Sequence, residues 1–407
     1  MNDNQQFDVA VMGLGYIGLP TAAFIASKGI NVLGVDINPS VVKTISKGEI
    51  HIVEPSLGDL VKKVIKSGHL QVSIRLETAK SYLIVVPTPF KHNHRADISY
   101  VENATKMIIP YLKKEDLFVI ESTSPVMTTE KMKTMIWKER PELSNSIYIA
   151  YCPERVLPGN VFYELENNDR IIGGINEEST QKAKEFYLKF VKGTLHSTNS
   201  KTAEMCKLVE NSSRDVQIAF ANELSIICDK IDIDVWNLIE LANKHPRVNI
   251  LKPGSGVGGH CIAVDPWFLI SDFPEQAHII KRARETNDYK ADWCVSRIIE
   301  TCREFSTKKG REPIVACMGL AFKPDIDDLR ESPSFYITSR VISESDAQVL
   351  IVEPNIKNHK TFNLLDCKEA YQNADIVVWL VAHKQFYDVP KDNEKIELDF
   401  CGIRNII

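Results

Sequence analysis

Near its start the chain sets a strand, a glycine turn and a helix in an order that leaves few folds available. Phe7–Met12 is a short apolar run, and the segment Val9-Ala-Val-Met-Gly13-Leu-Gly15-Tyr-Ile-Gly18 closes it with GxGxxG. A helix-like run, Leu19–Ser27, follows, and a second apolar run, Asn31–Val35, stops at Asp36. Asp36 lies 36 − 13 = 23 residues beyond the first glycine. This spacing predicts a parallel βαβ unit. Its glycines allow a tight turn and let an anionic group approach the backbone at a helix N-terminus. An acid closing the second strand is placed to accept hydrogen bonds from a ribose. The pattern therefore predicts a dinucleotide site built on Gly13, Gly15, Tyr16, Ile17, Gly18 and Asp36, and the charge of Asp36 favours NAD over its 2′-phosphorylated form.

The alternation continues. Tyr82–Val86, Leu117–Ile120 and Ile147–Ala150 repeat the short apolar form, with stretches of helical spacing between them. Over Lys201–Asp229, Met205, Leu208, Val209, Ile218, Phe220 and Leu224 recur at helical spacing, and Thr202–Ile250 contains no glycine or proline before Pro246. One long helix is expected there. Pro313–Met318, Gln348–Val352 (ending at Glu353) and Asp375–Val381 then restart the strand pattern, although Met318-Gly-Leu-Ala-Phe lacks the full glycine fingerprint. The expected class is α/β, with two Rossmann-like doubly wound domains joined by a long central helical region. Its expected parts are 1–198, 199–310 and 311–407.

A length of 407 residues suits two or three domains, and 44% apolar with 25% charged residues marks a folded chain. The net charge of −5, with no Lys/Arg block, argues against a nucleic-acid partner. The polar start, Met-Asn-Asp-Asn-Gln-Gln, does not read as a signal peptide, and no apolar run is long enough for a membrane span. Nine cysteines, scattered and without a CxxC pair, point to reduced thiols, a cytoplasmic setting and no metal centre.

One cysteine stands apart. Pro253–Gly259 holds four glycines, and Cys261 follows, with Asp265 four residues on. A structural cysteine needs no such loop, whereas a nucleophilic one needs access and a polar setting. Beside a dinucleotide site, a thiol suggests aldehyde-level chemistry: it traps an aldehyde as a thiohemiacetal, hydride loss gives a thioester, and water cleaves it. His260 adjoins the cysteine, but neighbouring side chains point apart, so it is not assigned as a base. Lys207 and Asn211 are i and i+4 on the predicted helix and share a face. A solvated lysine beside an asparagine is the commoner meaning of such a pair. Here the two also suit an oxyanion.

These features, with Gly48-Glu-Ile-His-Ile-Val-Glu-Pro, Val86-Pro-Thr-Pro-Phe, Glu121-Ser-Thr-Ser-Pro, Cys152-Pro-Glu-Arg-Val-Leu-Pro-Gly, His245-Pro-Arg-Val-Asn-Ile-Leu, Gly256-Val-Gly-Gly-His-Cys-Ile-Ala-Val-Asp-Pro-Trp and Asp327-Asp-Leu-Arg-Glu-Ser-Pro, resemble the UDP-glucose/GDP-mannose dehydrogenase family almost end to end. The resemblance implies two successive NAD-dependent oxidations of a sugar C6 alcohol to a carboxylate. It implies catalytic roles for Cys261, Lys207, Asn211, Asp265 (orienting water or Lys207), Glu154 (thioester hydrolysis) and Thr123 (beside the nicotinamide). Pro87, Thr88, Thr123 and Arg330 join the implied cofactor set. Glu154, Arg155, Val156, Leu157, Lys207, Asn211, Arg214, His245, Arg247, Gly254, Gly258, Phe322 and Lys323 form the implied substrate set. Arg247 is implied to cross to the neighbouring site of a homodimer.

Two departures bear on the sugar. The UDP-glucose members tend to carry Ser before the cysteine and Lys before the aspartate, where this chain has His260 and Val264. That points to a UDP-N-acetylhexosamine, with the N-acetylmannosamine form preferred over N-acetylglucosamine or glucose, and to surface polysaccharide synthesis. Ser255 stands where proline is common in relatives, and a looser loop is expected there.

Overall fold

The computed structural model describes residues 7–404 apart from 53, 92, 93, 157 and 158. It forms two compact units, one up to Val209 and one from Glu210 onward.

The first unit is built on eight strands: β1 (Phe7–Met12), β2 (Val32–Val35), β3 (Leu70–Ser73), β4 (Ala79–Ile84), β5 (Leu117–Ile120), β6 (Tyr148–Tyr151), β7 (Arg170–Gly174) and β8 (Leu195–Asn199). Their order is β3-β2-β1-β4-β5-β6-β7-β8, parallel throughout except between β6 and β7. Seven helices accompany them: α1 (Gly18–Ser27), α2 (Pro39–Ser46), α3 (Leu57–Ser67), α4 (Ser99–Ile108), α5 (Thr128–Glu139), α6 (Val161–Asn167) and α7 (Glu177–Tyr187). The central strands are buried on both faces, so they read as continuous apolar runs. α1 is buried along nearly its whole length, because it packs on β1 and β2 and also against α3 and α6. Each fully buried side chain in this core, such as Leu14, Leu19 or Ile25, stabilises by roughly 1.5–3 kcal/mol. β1 lies between β2 and β4, so the chain direction switches sides there, and the carboxyl ends of these strands are where such sheets bind ligands.

α8 (Ser200–Lys230) agrees with the long helix expected over Lys201–Asp229, but the helix does not run on towards Pro246. Ile231 and Ile233 both donate their N–H to the carbonyl of Cys228, and Asp232 turns left-handed at φ +55°. Asp234 then accepts hydrogen bonds from Trp236 N and Asn237 N and starts α9 (Val235–Ala242). The break needs no glycine or proline: Asp232 tolerates the left-handed turn, and the short Asp234 carboxylate caps the next helix.

The rest of the second unit comprises α10 (Asp265–Asp272), α11 (His278–Lys309), β9 (Ile314–Met318), α12 (Pro333–Glu344), β10 (Gln348–Val352), α13 (Cys367–Asn373), β11 (Ile376–Trp379) and β12 (Ile396–Asp399). The strands form an all-parallel sheet in the order β10-β9-β11-β12. Ala291, Cys294, Val295, Ile298, Cys302 and Phe305 make an apolar stripe on α11 that joins Val315, Cys317 and Val378 in one core.

The two sheets repeat a local device. Gly13 N donates to Val35 O, and Gly319 N donates to Val352 O, both at 2.8 Å. Asp36 then accepts from Leu14 N at 2.9 Å, and Glu353 accepts from Leu320 N and Ala321 N at 2.8 and 2.9 Å. Glu353 is buried and also faces the fully buried His383 at 3.1 Å, so this second acid is consumed inside the protein.

Candidate active site

The glycine turn after β1 has the shape a dinucleotide needs. Gly13 sits at φ +95°, and a Cβ there would lie 2.5 Å from Val85 O. A Cβ on Gly18 would lie 1.9 Å from Gly13 O, so both positions exclude side chains. Gly15 differs: nothing stands within 4 Å of where its Cβ would be, and that open ground is the cradle a pyrophosphate can enter. Tyr16 is exposed beside it and Ile17 half-buried. Asp36 spends one lone pair of Oδ2 on Leu14 N and one of Oδ1 on Asn38 N, leaving others for ribose hydroxyls. Pro87 and Thr88 follow β4, and Thr123 follows β5. Ser122 stitches these two loops together, its Oγ accepting from Val86 N at 2.9 Å and donating to Val86 O at 2.8 Å. These residues fit NAD.

The segment after β6 is held at both ends. Glu154 Oε1 accepts from Arg155 N and Val156 N at 2.6 and 3.1 Å, and its Oε2 faces Arg170 Nη2 at 3.2 Å. Lys207 Nζ donates to the Glu154 carbonyl at 2.9 Å, which brings together two residues singled out in the sequence. Farther along, Glu54 accepts from Gly159 N and Val161 N and so caps the start of α6. Leu157 lies outside the described residues. Arg170, Glu54 and the buried Glu121 were not assigned from the sequence. Glu54 and Glu121 fall in quoted motifs, but no pattern of spacing reveals a buried charge.

In the second unit the cysteine loop is fastened by a buried polar chain. Arg284 on α11 pairs with Asp215 on α8 at 2.7 Å, both side chains almost wholly buried. Asn287 donates to Asp215 Oδ1 at 2.8 Å, and Asn222 donates to Asn287 at 2.9 Å. Asn222 Oδ1 in turn accepts from Gly254 N at 2.9 Å. Ser255 is buried, with its Oγ 3.2 Å from Ser334 Oγ and 3.3 Å from Leu380 O. The looser loop expected at Ser255 is therefore not seen, because the hydroxyl supplies bonds that a proline could not make. Gly258 and Gly259 press on Phe322: a Cβ at either would meet it at 2.8 or 2.7 Å. Gly259 N also bonds Arg330 O at 3.1 Å.

Cys261 emerges half-buried from this loop, and its carbonyl accepts from Val264 N and Asp265 N at the start of α10. Asn211 Nδ2 donates to Asp265 Oδ2 at 2.5 Å, a second pairing of residues expected at the site. The buried thiols differ from Cys261. Burial pushes Cys152, Cys294 and Cys317 up to about 12, where they are inert. Arg330 grips the Asp328 carboxylate through Nε and Nη2 at 3.0 and 2.6 Å. Lys323 Nζ lies 6.0 Å from the Phe322 ring centre. Arg214 is exposed on α8, and His245 and Arg247 are exposed on the segment after α9. Among the described residues no helix is long and apolar enough to cross a membrane.

Comparison with known proteins agrees with this geometry. Residues 7–191 match the NAD binding domain of the UDP-glucose/GDP-mannose dehydrogenase family, residues 201–289 its central domain and residues 316–401 its UDP binding domain. The chain is 52% identical to a UDP-N-acetyl-D-mannosamine dehydrogenase of Campylobacter jejuni, over 98% of this chain and 100% of that protein. It is 50% identical to an NDP-N-acetyl-D-galactosaminuronic acid dehydrogenase of Ralstonia nicotianae, over 97% and 96% of the two chains. Among solved structures, a UDP-D-ManNAc dehydrogenase from Pyrococcus horikoshii superposes with a TM-score of 0.88 at 37% identity, covering 97% of this chain and 96% of that one.

Proposed function

Because the chain belongs to the UDP-glucose/GDP-mannose dehydrogenase family, we propose that it oxidises the C6 alcohol of UDP-N-acetyl-D-mannosamine to the uronate, with Cys261 as covalent catalyst. The observation that carries this reading is Cys261 itself, presented on a glycine loop locked by buried hydrogen bonds and four residues before the start of α10, whose Asp265 accepts from Asn211.

Two NAD⁺, bound in turn, would supply the hydride acceptors for the two oxidations. The first takes the proton of the C6 hydroxyl and a hydride from C6 itself and leaves an aldehyde. The Cys261 thiolate then adds to the aldehyde carbon, and the new C–O⁻ is stabilised by Lys207 and by Asn211, which Asp265 orients. Loss of the second hydride from that carbon gives a thioester. Water adds to it, the C–S bond breaks, the thiol is restored and the carboxylate leaves. Glu154 serves the hydrolytic stage, and Thr123 orients the reacting hydroxyl. Arg155, Val156, Leu157, Arg214, His245, Gly254, Gly258, Phe322 and Lys323 hold the UDP-sugar, with Arg330 on the cofactor.

A division into 1–198, 199–310 and 311–407 suits these roles. A homodimer, with Arg247 serving the neighbouring subunit, is supported by the large apolar side chains that α8, α9 and the turn between them leave exposed, Phe220, Ile227, Ile231 and Leu241. The product's use in surface polysaccharide and a cytoplasmic setting belong to the same reading.

The near-equal identity to the galactosaminuronic acid relative raises a second sugar, alongside N-acetylglucosamine and glucose. NADH formation with UDP-N-acetylmannosamine, UDP-N-acetylgalactosamine, UDP-N-acetylglucosamine and UDP-glucose separates them. The highest kcat/KM is expected for the first, and a wide preference for any other sinks the choice of sugar.

A further inference from the structure

Behind the Glu154 loop, two carboxylates share one guanidinium. Glu121 follows β5 directly, Arg170 begins β7, Tyr187 ends α7, and Cys152 and Glu154 follow β6. Arg170 and Glu154 expose only 5% and 9% of their side chains, and Glu121 is 2% exposed. Tyr187 Oη donates to Glu121 Oε1 at 2.5 Å, and the Arg170 guanidinium lies 5.2 Å from the Tyr187 ring centre. Arg170 Nη2 meets Glu154 Oε2 at 3.2 Å, while Arg170 Nε and Nη1 and Glu121 Oε2 make no hydrogen bond. One cation cannot fully neutralise two buried carboxylates, so the cluster favours a state in which one of them carries a proton.

We propose that Glu121 is a positioning residue for Glu154: protonated, it leaves Arg170 wholly to Glu154, and ionised, it competes for Arg170 and loosens the Glu154 carboxylate and its loop. This rests on the role given above to the Glu154 loop. The charges facing Glu121 fit the assignment. Burial pushes its carboxyl up to about 7, Arg170 pulls it down, Glu154 pushes it up and the Tyr187 hydroxyl lowers it. Cys152, the remaining titratable group of the cluster, is kept a neutral thiol by burial. A carboxyl raised in the folded state contributes stability at low pH, and that contribution is lost as pH rises from its ordinary value through about 7.

The test is E121Q, which mimics the protonated form. Thermal midpoints of wild type and variant are measured from pH 5 to 8.5, together with kcat and the KM for NAD⁺. The wild-type midpoint should fall relative to E121Q as pH rises through neutrality. The wild-type inflection in kcat near neutral pH should be absent from E121Q, with the KM for NAD⁺ changed by less than about twofold. Parallel stability curves, or the same kcat inflection in both proteins, would overturn the proposal. If E121Q does not fold, Y187F replaces it. Loss of the hydroxyl should move both inflections to higher pH, and unmoved inflections would overturn the proposal equally. A wild type inactive on every nucleotide sugar would sink the functional reading, while the stability curves would still decide the role of Glu121.

Discussion

Gly259 shows how little room the cysteine loop has. It sits at φ +84° with the Phe322 ring where a methyl group would go. Gly259→Ala should destabilise by about 1–3 kcal/mol and lower kcat more than it raises KM, read by thermal denaturation and steady-state kinetics. Thiol reactivity gives a second prediction at this scale. Alkylation of the folded protein near pH 7.5 should modify Cys261 and abolish NADH formation, while Cys152, Cys294 and Cys317, held at about 12 by burial, stay unlabelled. Peptide mass spectrometry checks this, and an active protein fully labelled at Cys261 would count against a covalent role.

Between elements, the decisive contacts are polar and buried. Asp215 on α8 and Arg284 on α11 form an ion pair whose removal strands a charge, and the same pair supports Asn287, Asn222 and the Gly254 amide. Asp215→Ala should therefore lower unfolding stability by about 3 kcal/mol in urea and reduce activity as well. Arg284 keeps a second partner in the half-exposed Asp288, so the loss should not be larger. None of this was legible beforehand. The sequence disclosed β1, β2, β4, β5, β6, β9, β10 and β11 through their apolar runs, and it disclosed the glycine turn and cysteine loop because glycine is demanded there. It did not disclose β7, which opens on a buried arginine, or β8, an edge strand of Leu-His-Ser-Thr-Asn. The end of α8 was missed because Asp232 ends it by a left-handed turn and Asp234 restarts the chain as α9 through its carboxylate, with no glycine or proline to mark the break. Glu121 stood within a quoted motif, yet its meaning depends on Arg170 and Tyr187, far away in the chain.

For the whole molecule, the proposed dimer with a shared arginine makes a prediction with a definite yield. Cys261→Ser and Arg247→Ala chains should each be inactive alone. Mixed and allowed to exchange subunits, they should recover about one quarter of wild-type sites, because half the dimers are mixed and each mixed dimer rebuilds one site of two. No recovery, with exchange verified, would mean that Arg247 serves its own chain.

A four-electron oxidation through Cys261 has a stoichiometry that can be counted. Limiting UDP-N-acetylmannosamine is mixed with excess NAD⁺, and NADH is counted at completion for wild type and Cys261→Ser. Wild type should give two NADH per sugar and free uronate, and the variant no uronate at a comparable rate, as a four-electron oxidation through Cys261 requires. One NADH per sugar from wild type, or two from the variant at the wild-type rate, would contradict it.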